Sequence, residues 1–188
     1  MVLRIFFQLF DRTNSILRFS VELSTAVAFL FFSSSFLWAD FQKGLMFSKR
    51  NDYQNAIREW KPLSDEGHQG AQYHLGWIYE NGIGLKKNLV EAERLYKLSA
   101  SQGNVKAQAN LGLMYLKGEG IKRDLREAVR WIKRSAESGY PKSQYALGLI
   151  YTRGLGVKQN KKEALKWYKL SIGSGYNPCP NRSGFNKI

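Results

Sequence analysis

Three features of this sequence could in principle support chemistry, and the most conspicuous are three Gly-x-Gly segments at 82–84, 118–120 and 154–156. Glycine-rich loops of this kind can cradle phosphate. A P-loop, however, needs Gly-x-x-x-x-Gly-Lys followed by Ser or Thr, and a dinucleotide site needs Gly-x-Gly-x-x-Gly after a strand. Neither motif is present. We therefore expect these loops to be structural, with no nucleotide or other cofactor bound.

The other two features are a pair of histidines and a single cysteine. His68 and His74 are the only histidines, and no carboxylate pair lies at ligand spacing to either, so we expect surface roles and no metal site. Cys179 lies between two prolines with no base nearby in the sequence, so it is not expected to be a nucleophile. One cysteine also excludes an intramolecular disulfide. The sequence predicts no catalytic residue and no enzyme.

The elements around the glycine loops repeat. The pattern Gly-x-x-Tyr-x-x-Gly-x-Gly begins at residues 76, 112 and 148, always 36 residues apart. Its fixed positions are Gly76, Tyr79, Gly82 and Gly84; Gly112, Tyr115, Gly118 and Gly120; and Gly148, Tyr151, Gly154 and Gly156. A fixed period of this length is typical of a repeat array.

Each repeat is predicted to contain two helices. In the first, Ala71, Leu75 and Ile78 form an apolar stripe at helical spacing, and the second helix runs from about Asn88 to Gln102. Gly76 lies inside the first stripe, where a glycine allows a neighbouring helix to approach closely. The glycine at 82 is expected to end the helix in the left-handed conformation. No run of residues predicts a strand, so the units should stack as an all-α solenoid.

The fuller pattern identifies a family resemblance. It is carried by Ala71, Leu75, Gly76, Tyr79, Gly82, Gly84, Glu91 and Ala92, and it departs in the third copy only at Ser143. Over residues 40–176 the chain resembles the Sel1-like repeat, a relative of the tetratricopeptide repeat. The resemblance implies a right-handed superhelical solenoid of antiparallel helix pairs that acts as an adaptor in protein assembly. It brings no catalytic residues, because the motif is structural.

The chain divides into six segments on these grounds. They are a secretory signal peptide at 1–39, an atypical N-terminal capping repeat at 40–69, repeats at 70–105, 106–141 and 142–176, and a polar tail at 177–188. The leader has a basic start, a short apolar run and a small residue at its end, which predicts cleavage after Ala39. The protein would then be exported to the periplasm or outside the cell, or be membrane-anchored if the leader is uncleaved. The resemblance favours a bacterial cell envelope.

The net charge of +14 bears on partners. The basic residues concentrate in the loops and second helices, and few of them belong to the leader. An anionic envelope polymer or lipid surface is therefore the alternative to a protein partner. We expect no nucleic acid, because aromatic residues do not interleave with the basic ones and because of the predicted export.

The positions that vary between repeats are the candidate binding residues. In superhelical repeats the first helices line a concave groove, where a protein or peptide partner can lie. The candidates are Tyr73, His74, Trp77 and Asn81; Asn110, Leu113 and Lys117; and Tyr145, Leu149 and Arg153. Trp77 is the strongest, since aromatic residues dominate binding hot spots, although it could equally pack between units.

The C-terminal end of the array has no obvious capping helix, since two prolines and polar residues follow the last repeat. Either the tail folds back with Phe185 over the last helix, or the uncovered apolar face pairs two copies in a homodimer.

Overall fold

A computed structural model of the chain describes residues 38–176. The predicted leader, apart from its last two residues, and the predicted tail lie outside this range. The described chain is all helical, with no strand. No helix within residues 38–176 is long and apolar enough to cross a membrane.

Eight helices follow one another along the described chain. They are α1 (helical throughout 38–49), α2 (Tyr53–Asp65), α3 (Gln69–Asn81), α4 (Leu89–Ser101), α5 (Val105–Lys117), α6 (Leu125–Glu137), α7 (Pro141–Arg153) and α8 (Lys161–Gly173). From α2 to α8, each helix packs against its neighbour along the chain. This arrangement confirms the predicted solenoid of helix pairs, because contacts run between sequence neighbours.

The helix ends follow the sequence signals. The first helices α3, α5 and α7 end at glycines in the left-handed conformation, with φ of 68°, 71° and 70°. The second helices α4, α6 and α8 begin at Asn88, Asp124 and Asn160, whose side chains accept hydrogen bonds from first-turn backbone N–H groups. Glutamates recur in each of those first turns, at residues 91, 127 and 163. Their charged partners are in the same helix: Glu91 pairs with Arg94, Glu127 with Arg130 and Glu163 with Lys166.

The glycine inside each first helix lets the second helix of the same unit approach. A Cβ on Gly112 would lie 2.6 Å from Cγ1 of Ile132 and 3.0 Å from the backbone nitrogen of Ile132. A Cβ on Gly76 would meet the Tyr96 ring at 2.9 Å, and one on Gly148 would meet the Tyr168 ring at 2.5 Å. The predicted packing role is confirmed, because no side chain fits at these three positions.

Buried polar side chains join the units, and the sequence reading did not find them. Gln72, Gln108 and Gln144 are buried on the first helices, and each donates through Nε2 to a carbonyl of the preceding unit. The acceptors are the carbonyls of Ser64, Ala100 and Ala136, at 3.2, 3.1 and 3.3 Å. The signal was available, since a glutamine recurs at the same register three times. Each Nε2 group finds a partner across the interface, while the Oε1 of Gln108 is buried without a hydrogen bond.

The first unit is built differently from the others. Only residues 50–52 separate α1 from α2, whereas residues 82–88 separate α3 from α4. Trp60 of α2 is 1% exposed and its indole N–H donates to the carbonyl of Phe41 at 3.3 Å. The first core cluster therefore combines α1, α2 and α3, with Trp60 at its centre.

Candidate functional site

Two clefts open between the first helices. The Trp77 cleft, of about 270 Å³, is lined by residues of α3, α5 and α7, including Tyr73, Trp77 and Ala146. The Lys117 cleft, of about 230 Å³, is lined by Glu80, Asn81, Lys117 and their neighbours. Asn110 and Leu113 of α5 line both clefts. The two clefts therefore share a wall on α5.

The clefts collect most of the predicted binding residues of the first two repeats. The Trp77 cleft holds Tyr73, Trp77, Asn110 and Leu113, and the Lys117 cleft holds Asn81, Asn110, Leu113 and Lys117. The remaining candidates, His74, Tyr145, Leu149 and Arg153, line neither cleft. Whether any of them binds a partner stays a prediction.

Asn110 is held by a hydrogen-bonded chain that crosses helices. Its Nδ2 donates to the hydroxyl of Tyr96 at 2.9 Å, and that hydroxyl donates to Oε2 of Glu80 at 2.7 Å. Burial and the adjacent Glu80 carboxylate raise the pKa of Tyr96, so the phenol keeps its proton. The amide orientation of Asn110 is thereby set on the wall that the two clefts share. Sequence reading missed Glu80 and Tyr96, because this set occurs in one unit only and shows no period.

Trp77 takes part in both packing and the cleft. Its ring is half-buried and packs against the core clusters of two successive units. The ring centroid lies 6.2 Å from that of Tyr53. Tyr73 is also half-buried, with its ring centroid 6.0 Å from that of Tyr96, and burial is the main cause that raises its pKa. The floor of the Trp77 cleft is therefore aromatic and rigidly supported.

The expectation of a surface role is wrong for His74. Its ring is half-buried and stacks on Trp60, with centroids 4.7 Å apart and planes at 20°. The ring centroid of Phe41 lies 5.8 Å from that of His74. Burial, with a smaller effect of Lys106, lowers the pKa of His74 to about 4. His68, by contrast, caps α3, where its Nδ1 accepts from the backbone N–H of Ala71 at 3.1 Å. His68 occupies the N-cap position that Asn104 holds in the next repeat, whereas the stacking of His74 on a side chain of the preceding unit has no signal in the local sequence.

The buried neutral histidine makes stability depend on pH. An unfolded histidine binds a proton below about pH 6.5, whereas folded His74 does so only near pH 4. The contribution of buried, neutral His74 to the free energy of unfolding is therefore fully present above about pH 6.5. It is lost as the pH falls from about 6.5 to 4. We expect His74→Gln to reduce the loss of unfolding free energy between pH 7 and 4 by about 2 kcal/mol. Urea denaturation at several pH values measures it, and His68→Gln should have a smaller effect of the same sign, because burial lowers the pKa of His68 as well. Identical pH profiles for wild type and His74→Gln would contradict this account.

Two glutamates of the first full repeat accept hydrogen bonds from structural tyrosines. Glu80 accepts from Tyr96, and Glu93 accepts from the hydroxyl of Tyr115 at 2.6 Å. Within residues 38–176 no group of three or more His, Cys, Asp or Glu side chains is placed to hold a metal ion. What the clefts offer is therefore shape, aromatic surface and hydrogen-bond acceptors.

The repeats match a known family. The model of the Sel1 repeat matches residues 70–104, 105–140 and 141–176, which is more than half of the chain. The chain belongs to the Sel1 repeat family. Proteins of this family generally act as protein-interaction scaffolds and are typically non-catalytic. The family bounds coincide with the helix pairs α3–α4, α5–α6 and α7–α8.

Solved structures of Sel1 repeat proteins share the fold. A Sel1 repeat protein from Oxalobacter formigenes is 35% identical with a TM-score of 0.69, covering 72% of this chain and 56% of that one. The protein c5321, described as a protective antigen of uropathogenic Escherichia coli, is 31% identical with a TM-score of 0.71, covering 74% and 31%. Cysteine-rich protein B of Helicobacter pylori, at 17% identity and a TM-score of 0.52, covers 64% and 92% and shows the fold alone.

One curated relative is the rat DAP3-binding cell death enhancer 1. It is 34% identical over 58 residues, which are 30% of this chain and 11% of that protein. The present chain therefore matches about a tenth of the length of the rat protein. It covers about half of the Oxalobacter formigenes protein and about a third of c5321. The likeness lies in the repeats.

Proposed function

We propose that this Sel1 repeat protein is a non-catalytic scaffold that captures an extended peptide segment of a partner protein across the two clefts. The observation that carries the proposal is the shared wall, where Asn110 and Leu113 line both clefts. Leu113 is 38% exposed, so a ligand can contact it from either side. A single extended segment can therefore occupy both clefts at once.

The lining of each cleft suggests what the segment contains. The Trp77 cleft has aromatic and apolar walls, among them Tyr73, Trp77 and Ala109, which suit an apolar side chain. The Lys117 cleft carries Glu80, Lys117 and charges of both signs, which suit a polar side chain. The amide of Asn110 lies between them and would hydrogen-bond to the backbone of the bound segment. The partner is thus an extended segment with an apolar anchor followed by polar residues.

We propose that the scaffold works in the bacterial cell envelope or outside the cell. The basic start, the short apolar run and the small residue before Asp40 support export through a leader. Removing residues 1–39 would leave Phe41 in place against Trp60, with ring centroids 6.3 Å apart. Among the described residues, those of the first core cluster all follow residue 40.

A second candidate function is binding to an anionic envelope polymer or lipid surface. Its support is an exposed basic surface on the second helices, where the guanidinium carbons of Arg130 and Arg134 each lie 5.1 Å from the Trp131 ring centroid. Exposed lysines continue this surface on α8. Such binding should weaken steeply with salt, whereas capture in the clefts should persist between about 0.05 and 0.5 M salt.

Leu113→Asp tests the proposed capture. Peptides are selected on the full chain from a random display library, and their affinity is then measured by fluorescence anisotropy. We expect Leu113→Asp to weaken them at least about tenfold, because it places a charge on the wall common to both clefts. Leu98→Asp is the matched control, since Leu98 is 40% exposed on α4, where it lines neither cleft.

Both substitutions replace an exposed leucine, so folding should be alike and circular dichroism checks it. Equal affinity of the two variants would show that the selected peptides bind elsewhere. Loss of binding with rising salt in both variants would favour the basic surface instead.

A further inference from the structure

Each second helix uses one face to receive the next unit, and α4 shows how. Glu93 on this face accepts from the hydroxyl of Tyr115 at 2.6 Å. Ala100 is 1% exposed, and its carbonyl accepts from Gln108 at 3.1 Å. Leu89 packs into the core cluster of the next unit. The receiving face of α4 is therefore covered by α5 and its loop.

The same register positions on α6 are covered in the same way. Val129 packs into the cluster that contains Leu147 and Ile150 of α7. Ala136 is 1% exposed and its carbonyl accepts from Gln144 at 3.3 Å. A backbone oxygen of Leu125 lies 2.7 Å from where a Cβ on Gly156 would be. The receiving face is thus a repeated interface, made once per unit.

On α8, no described residue covers the equivalent positions. Lys161 stands where Leu125 does, Leu165 where Val129 does and Ile172 where Ala136 does. Leu165 is 55% exposed and Ile172 is 58% exposed. We call Lys161, Leu165 and Ile172 the open end face.

We propose that the open end face binds an amphipathic helix of another protein, whose apolar stripe is flanked by acidic residues. A helix is expected because the two equivalent faces, on α4 and α6, each receive one. The apolar stripe matches Leu165 and Ile172. This surface is separate from the clefts, so the inference does not rest on the proposed peptide capture.

Charge complementarity specifies the acidic flanks. Lys161 replaces the leucine of the internal units, and Lys162, Lys166 and Lys169 follow along the same helix. The one acidic residue of α8, Glu163, lies 4.0 Å from the Lys166 ammonium, at the limit of an ion pair. A partner helix with glutamates beside its apolar stripe would neutralise this set, whereas a basic one would be repelled.

The same charges disfavour a second copy of this chain. Two α8 faces would bring lysines against lysines, and α1 of another copy carries Lys49, besides a Lys43 that pairs with Glu59 of α2 at 2.9 Å. Ile172 is also larger than the alanines of the internal interfaces, so a helix of the repeat type could not approach as closely as α5 and α7 do. The structure therefore assigns the face to a different, acidic helix.

The test uses a fluorescent, alanine-rich helical peptide of roughly 20 residues, with leucines at helical spacing flanked by glutamates. Its binding to the full chain is measured by anisotropy. We expect Leu165→Asp combined with Ile172→Asp to weaken binding at least tenfold, and Lys161→Glu to weaken it about fivefold. Leu98→Asp and Leu113→Asp should leave it unchanged. A peptide with glutamines in place of the glutamates should bind more weakly.

Three results would overturn the assignment. Equal binding of the glutamate and glutamine peptides would contradict the proposal that the partner helix carries acidic flanks. A dimer by light scattering that is lost in Ile172→Asp would give the face to a second copy. Tenfold tighter peptide binding by Phe185→Asp would give it to the chain's own C-terminal residues. The effect of Leu113→Asp on the library-selected peptides tests the two clefts only, and it says nothing about the open end face.

Discussion

Gly112→Ala is expected to lower the free energy of unfolding by about 2–3 kcal/mol, although alanine favours a helix by about 1 kcal/mol. The added Cβ would lie 2.6 Å from Cγ1 of Ile132, 3.0 Å from the backbone nitrogen of Ile132 and 3.1 Å from the carbonyl oxygen of Ala128. Two of these atoms belong to the backbone of α6, so a rotamer change cannot relieve the contact. The two helices must move apart, and the core cluster that contains Leu111 loosens. Urea denaturation of the full chain measures the change.

Gly173→Ala is the matched control for this substitution. Gly173 is also helical, at the last position of α8, and nothing lies within 4 Å of a Cβ built on it. It should leave stability unchanged or raise it by about 0.5 kcal/mol, because only helix propensity acts. If Gly112→Ala proved as stable as Gly173→Ala, close helix approach would not be the reason for the glycine.

Trp60→Ala is expected to cost about 3–5 kcal/mol, because it empties the centre of the first core cluster. Trp60 is 1% exposed, and its ring packs on both Phe41 and His74. Units of a solenoid contact only their neighbours, so we expect the loss to stay local. In hydrogen exchange, α1 and α2 should lose protection while α5 to α8 keep theirs. NMR titration should show the pKa of His74 rising from about 4 towards its ordinary range, because the ring that buries it is gone.

Trp167→Ala provides the comparison at the other end of the array. Trp167 is 8% exposed on α8, so its loss should also destabilise the chain. It should do so at the last unit and leave the pKa of His74 unchanged. Global loss of protection in both variants would mean that the array unfolds as one cooperative body.

Much of the fold could be predicted from the sequence because its determinants are local and repeated. A glycine at the register of Gly82 ends the first helix of each repeat. A glycine at the register of Gly76 lets the second helix of the same repeat approach the first. The helix bounds predicted for α4 differ from those observed only by its two caps, Asn88 and Gln102. Each of these signals is weak in one copy, but their recurrence in three copies at the same spacing predicts the solenoid of helix pairs.

The contacts between units could be predicted less well. Gln108 bonds across an interface, and its role depends on which helix covers it rather than on its own neighbours in sequence. His74 stacks on Trp60 of the preceding unit, a contact that its own neighbours in sequence do not indicate. The chain from Asn110 through Tyr96 to Glu80 occurs once, so no period pointed to it. Tyr73, Trp77 and Leu113 could be named as candidates because they vary between copies, and the structure places all three at the Trp77 cleft. Their binding of a partner stays a prediction.

The most direct measurement of the proposed capture is covalent footprinting of the full chain, free and bound to a selected peptide, read by mass spectrometry. The account predicts that labelling of Tyr73, Trp77 and Leu113 falls on binding, while labelling of Leu98 on α4 and of Leu170 on α8 stays the same. Protection of the second-helix residues, with the side chains of the two clefts unchanged, would contradict it.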